Sequence, residues 1–185
     1  GLRELTQGKD LAALTQFASA AHLPDAAYLA GFTALKHLRW DEAKHYLSQA
    51  ATHYRSLGAL LRKCGIDAAL SLPITEEMVV LAGPNLRSVL LGLVEVHQEL
   101  GEHEAALAVL KRLHRLEPHE PVVKLSIAEY LMETKPDNRV TCQQVVRLCA
   151  DVKNESAVHA AFLLYKARAL GGLGMMDAKR DALTM

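Results

Sequence analysis

Aromatic residues are scarce in this chain, making up 5% of its 185 positions. Sheets draw on aromatic and β-branched side chains, whereas Ala and Leu recur here throughout, so the composition points to an all-α protein. Cysteine is scarce too. Cys64, Cys142 and Cys149 are odd in number and do not suit the paired framework of a small secreted domain, so a reducing, cytoplasmic setting is expected. Neither sign of charge dominates: Lys plus Arg and Asp plus Glu number 21 each. No overall field then draws the chain to nucleic acid or to an anionic membrane, and any electrostatic recognition must be local. No uncharged apolar run is long enough to span a bilayer, and the N-terminus lacks the basic-then-apolar layout of a signal peptide. The chain opens at Gly1-Leu2 directly in an amphipathic pattern, which suggests a piece of a longer protein.

Short catalytic and phosphate-binding signatures are missing as well. Gly-x-Ser-x-Gly, His-Glu-x-x-His, Gly-x-x-x-x-Gly-Lys and Cys-x-x-Cys are all absent, so no catalytic residue, cofactor or metal ligand is expected. His37, His45 and His53 recur at intervals of eight. If the last two share a helix they lie about 12 Å apart along it, too far for one metal held at about 2 Å from each ligand. Cys142 and Cys149 on one helix would be about 10 Å apart, cannot bridge, and read as small core residues.

What the chain does have is apolar content, 50% of its residues, enough to bury a substantial core, and an internal period. The clearest unit covers residues 87–120. Its first helix carries Leu90, Leu93, Val94 and His97 on one face; Gly101 supplies a turn; Ala106, Leu110 and Leu113 mark a second helix; Pro118 ends it. An upstream unit, 24–57, repeats these spacings with Ala27, Ala30, Gly31 and Ala34, then Ala43, Leu47 and Ala50. Small residues at Gly31 and Ala43 let two helices cross closely, with Leu47 filling the gap toward the next unit.

These spacings resemble the tetratricopeptide pattern of bulky, Leu, Gly and Tyr positions followed by small, bulky, small and a closing Pro. Residues 87–120 depart from it where Val94 replaces Gly, His97 replaces Tyr and Leu113 replaces a small residue. His97 and His103 take slots where the family usually has Tyr, and are read as hydrogen-bonded packing residues. Weaker units flank the two good ones. Residues 1–23 hold a second helix marked by Gly8, Ala13, Phe17 and Ala20, its first helix absent or shortened. Residues 58–86 form a degenerate unit with Leu61, Cys64, Gly65 and Ala68, an early Pro73, a short helix capped by Thr75, and a turn at Gly83-Pro84-Asn85. Residues 121–154 use Lys124, Ile127, Ala128 and Leu131, a longer Lys135-Pro136-Asp137-Asn138 loop, then Val145, Leu148, Cys149 and Val152. A terminal unit, 155–185, shows Leu163, Ala167, Leu170, a Gly171-Gly172-Leu173-Gly174 turn, Ala178 and Ala182.

The resemblance implies an α-solenoid of antiparallel helix-turn-helix repeats, a right-handed superhelix whose first helices line a concave groove. Groove positions are then Tyr28, Phe32 and Lys36, then Arg62 and Ile66, then Leu91, Glu95 and Glu99, and one period later Leu125, Glu129 and Glu133. The repeated Leu-Glu-Glu row makes that part acidic. Between 87 and 134 there are five Lys or Arg residues against eight Glu. Like charges one turn apart cost a few tenths of a kcal/mol each, a cost that a basic ligand would offset. The expected function is a non-catalytic scaffold for a protein or peptide bearing Lys or Arg and apolar anchors. Glu is also a good helix former, so a merely solvated face is the alternative. The family's clamps for acidic C-terminal peptides line their groove with Lys, Arg and Asn, for which only Lys36 and Arg62 are placed here. Tyr28 and Phe32, one turn apart, form either an aromatic anchor or a contact with the preceding helix. A second function class is a regulatory or oligomerisation segment of a larger enzyme or sensor, self-associating through Leu2, Leu5 and Phe17.

Overall fold

The computed structural model describes residues 1–63, 86–150 and 158–184. Among them the chain is all-α, with ten helices that pack in chain order and no strand. It divides into two compact units, Gly1–Ala106 and Leu107–Met185.

The first unit holds α1 (Leu2–Thr6), α2 (Asp10–Ser19), α3 (Pro24–Lys36), α4 (Trp40–Lys63), α5 (Leu86–Glu99) and the start of α6 (His103–Leu116). α1 is five residues long, matching the shortened first helix expected there. Pro24 occupies the first turn of α3, where a missing N–H costs nothing and the fixed φ favours the helix. From α1 to α5 each helix meets the next, and α3 also meets α5. The core is made largely of alanine: Ala13, Ala27, Ala30, Ala34, Ala43 and Ala50 are all buried, so the helix backbones approach closely. At the α3–α4 crossing, a methyl group on Gly31 would lie 2.6 Å from Leu47 Cγ and Cδ2 and 3.1 Å from the Leu47 backbone nitrogen. On its other side Leu47 reaches α5, where a methyl on Gly92 would lie 3.0 Å from Leu47 Cδ1. One leucine is thus wedged between two glycines, as the small-residue pattern requires.

α4 is 24 residues long and runs past the unit boundary expected after residue 57. α5 packs against both α3 and α4. Cys64, Gly65, Ile66, Ala68, Pro73, Thr75, the turn at Gly83-Pro84-Asn85, Val152 and Met185 lie outside the described residues, as do the side chains of Leu61 and Arg62.

The second unit comprises the remainder of α6, then α7 (Pro121–Thr134), α8 (Arg139–Ala150), α9 (His159–Gly172) and α10 (Met176–Thr184). α7 repeats the proline start of α3, and the Asn138 carboxamide oxygen caps α8 by accepting the Val140 and Thr141 N–H groups at 2.9 and 3.1 Å. Ile127, Ala128, Leu131, Val145, Phe162, Ala167 and Leu170 form its buried interior. Cys142 and Cys149 are buried free thiols in it. α9 continues through Gly172, so Gly171 and Gly172 belong to the helix and not to the turn expected of them. The turn falls to Gly174, at φ +75°.

Among the described residues, four of the five successive helix pairs close with one backbone device. After α1, α3, α5 and α9 the chain places a single residue in the left-handed region: Gly8, Leu38, Gly101 and Gly174. In each case the next N–H bonds back five residues, Lys9 to Glu4, Arg39 to Ala34, Glu102 to His97 and Met175 to Leu170, at 2.8–3.0 Å. This satisfies a helix-end carbonyl and turns the chain sharply. Three of the four residues are glycine, which adopts that conformation without a Cβ penalty; Leu38 is the exception.

Candidate functional site

In the first unit the expected groove residues sit on the outward parts of α3 and α5. Tyr28 and Phe32 are half-buried and stack at 4.6 Å between centroids, tilted by 44°. Phe32 lies against Gly92 of α5, where an added methyl would meet its ring at 3.0 Å. Phe32 therefore makes a contact with α5, and the aromatic pair keeps part of its surface open. Leu91, Glu95 and Glu99 flank that contact on α5; Leu91 is 41% exposed and both carboxylates are exposed. Neither Glu has an ion partner among the described residues. Arg62 lies in the last turn of α4, and Ile66 lies beyond the described residues.

Lys36 is exposed, but its ammonium is committed. It donates to Asp10 Oδ2 at 2.6 Å, and His37 Nε2 meets the same oxygen at 3.0 Å. The hydrogen bond from Lys36, and then that from His37, holds the Asp10 carboxyl below the usual aspartate range. The pair fastens the end of α3 to the start of α2, and Lys36 presents no free charge for an acidic ligand.

In the second unit Glu129 and Glu133 are exposed on α7 and Leu125 is half-buried. The Tyr165 hydroxyl on α9 donates to Glu129 Oε1 at 3.0 Å, and the Arg168 guanidinium lies 5.7 Å from the Tyr165 ring centroid. α7 and α9 are in contact, as α3 and α5 are. Glu95 and Glu99 belong to one compact unit and Glu129 and Glu133 to the other.

His97 is buried and bonds Glu102 Oε2 through Nδ1 at 2.6 Å, and Lys44 Nζ donates to both Glu102 oxygens at 2.6 and 2.7 Å. Lys44 and then His97 hold the Glu102 carboxyl below its usual range. The cluster ties the Gly101 turn to α4, a packing role for His97.

A cleft the sequence reading did not single out opens between the end of α2 and α4, with a volume of about 950 Å³. His22, Lys44, His45, Gln49 and His53 line it, and His45 Nε2 pairs with the Gln49 amide nitrogen at 3.1 Å. The available signal was the polar row Asp41, His45, Gln49, His53 at steps of four along α4. Among the described residues no three His, Cys, Asp or Glu side chains converge on a metal position. Among them, too, no helix is long and apolar enough to cross a membrane.

Phe17, expected in a self-association face, is 7% exposed and packed beneath Gly1, while Leu2 is 44% exposed. No protein-family model matches this sequence, and no curated protein matches it significantly.

Proposed function

We propose that the chain is a non-catalytic interaction scaffold, a tetratricopeptide-like solenoid whose first-helix faces bind a peptide or helix carrying Lys or Arg beside apolar anchors. The observation that carries this reading is the α5 face: Leu91, Glu95 and Glu99 are exposed, neither carboxylate has an ion partner among the described residues, and Phe32 of the partly open Tyr28–Phe32 pair meets the same helix at Gly92. An apolar anchor ringed by like charge suits a partner that is basic and amphipathic. Supporting the repeat arrangement are the wedge of Leu47 between Gly31 and Gly92 and the recurrence of one turn device at four helix ends. Buried free thiols at Cys142 and Cys149 suit a cytoplasmic setting.

The test is binding of a fluorescent Lys/Leu-rich helical peptide, with Glu95→Lys/Glu99→Lys and Glu129→Lys/Glu133→Lys as separate double variants. Affinity should fall about tenfold or more in at least one of them, the salt dependence weakening in parallel. Equal affinity of both variants and the parent would refute the basic-ligand reading. Leu2 and Leu11, 44% and 56% exposed, favour as a second reading an assembly segment of a larger enzyme or sensor. Sedimentation of the chain and of a Leu2→Lys/Leu11→Lys variant decides it, since a concentration-dependent dimer lost in the variant supports assembly.

A further inference from the structure

Within the second unit, a smaller cleft of about 360 Å³ opens among the end of α6, the α6–α7 link, α7 and α8. Its polar lining is His114, His119, Lys124, Gln144 and Arg147, with no carboxylate among them. Lys124 is the anomaly. It occupies the position that Leu90, fully buried, fills in α5 thirty-four residues earlier, and it is itself only 7% exposed. A buried ammonium is ordinarily matched by an acid, yet the Lys124 ammonium has no ion pair or hydrogen-bond partner among the described residues. It also stands in the first turn of α7, where the helix dipole is positive and a cation is disfavoured.

The neighbouring groups share that imbalance. His114 Nδ1 is buried without a hydrogen-bond partner. Burial, and then the Lys124 charge, push the His114 imidazole below the usual histidine range. Arg147, exposed at the rim, brings the planar fork of donors that suits oxyanions, and it too has no ion partner among the described residues. Three helices thus converge donors and positive charge on one concavity, and no carboxylate among the described residues lines it.

We propose that this cleft is an oxyanion site for a phosphoryl dianion, with Lys124 at its floor, Arg147 and His119 at its rim and His114 and Gln144 as neutral hydrogen-bonding partners. Two positive charges and several N–H donors match a doubly charged tetrahedral anion better than a single carboxylate. The cleft is roomier than a phosphoryl group alone requires, which favours a monoester on a small organic carrier over the free ion. The site lies on the inward side of α7, apart from exposed Glu129 and Glu133, and does not depend on the peptide-binding reading.

The experiment is a pair of titrations of the intact chain, with inorganic phosphate and with O-phosphoserine at constant ionic strength, read by heat of binding and by melting temperature. Saturable binding is expected, with the melt rising about 3–5 °C at ten times the Kd. Tighter binding of the ester assigns the site to phosphate monoesters; equal binding assigns it to the phosphoryl group alone. Lys124→Met fills the same space without charge. It should melt at or above the parent in phosphate-free buffer, showing that it folds, and bind at least about tenfold more weakly. Arg147→Gln should weaken binding while leaving the melt unchanged. Absence of saturable binding of either probe, or equal response of Lys124→Met, overturns the proposal.

Discussion

Gly31→Ala adds one methyl group where α3 crosses α4, and its effect can be worked from three distances. The new Cβ would sit 2.6 Å from both Cγ and Cδ2 of Leu47 and 3.1 Å from the Leu47 backbone nitrogen. Leu47 cannot simply swing aside, because its Cδ1 already abuts Gly92 of α5 and the side chain is fully buried. Overpacking of this kind costs about 1–3 kcal/mol, while alanine in a helix interior returns about 0.5–1 kcal/mol over glycine. The clash wins, and a net loss of about 0.5–2 kcal/mol should lower the melting temperature by about 2–6 °C for a chain of this size. Leu47→Ala alone should cost about 2–5 kcal/mol through its cavity. In that background the sign inverts: the Gly31→Ala methyl enters the vacated space and the helix preference is all that remains, so the double variant should melt above Leu47→Ala. Circular dichroism at 222 nm during heating of the four proteins measures the cycle. If Gly31→Ala shifts the melt equally in both backgrounds, Leu47 is not the obstacle and the crossing has been misread.

Other positions give shorter tests. Leu38 holds a φ of 56° while 66% exposed, so Leu38→Gly should stabilise the chain by about 0.5–1 kcal/mol, whereas Gly101→Ala, at φ +69° in the equivalent turn, should destabilise it by about 1 kcal/mol; thermal melts of both check the pair. The Asp10 carboxyl is held below its ordinary 3.8 by Lys36 and His37, so its contribution to stability is complete above that value and is lost as pH falls through the lowered folded value. Asp10→Asn should therefore lower the melt at neutral pH and flatten its decline below about pH 4. Burial pushes the Cys149 thiol up to about 11, so at pH 8 it should resist iodoacetamide in the native chain and react on denaturation, as peptide mass mapping would show.

Much of the helix pattern was legible because it is local. Gly31 and Ala43 were recognisable from the repeated spacing as small positions where helices cross, and both are buried, with Gly31 set against Leu47; Gly101 was recognisable as a turn because glycine tolerates the left-handed conformation. Other features depend on geometry that no local pattern carries. The equivalent turn at Leu38 was hidden by a residue type that rarely adopts it. The unit boundary after residue 57 was misplaced because α4 stays helical to Lys63, and Gly171 and Gly172 were read as a turn although α9 runs through them. Gly172 has a packing reason, since a methyl there would lie 2.8 Å from Cys142 Sγ. Lys36 looked like a free groove cation because Asp10 lies 26 residues away in sequence, on another helix. Tyr165 as the partner of Glu129 was equally out of reach, being 36 residues distant.

The α7–α8 pair departs from the others in two respects at once. Its connection replaces the left-handed turn residue with a longer loop, in which the Pro136 carbonyl accepts the Cys142 thiol at 3.3 Å and Asn138 caps α8. Its first helix replaces the buried leucine of α5 with a buried lysine. Neither change improves packing: the longer loop costs more closure entropy, and the lysine brings charge into a site where no acid among the described residues meets it. Uniform repeats would gain stability by reverting both, so a pair that keeps them needs a return from something other than its own core. The anion proposed for the cleft bordered by Lys124 and by Gln144 and Arg147 of α8 would supply such a return, because it would make the lysine favourable. The proposed interaction through exposed helix faces and the proposed anion binding are therefore separable by experiment: Lys124→Met should remove the second while preserving the first.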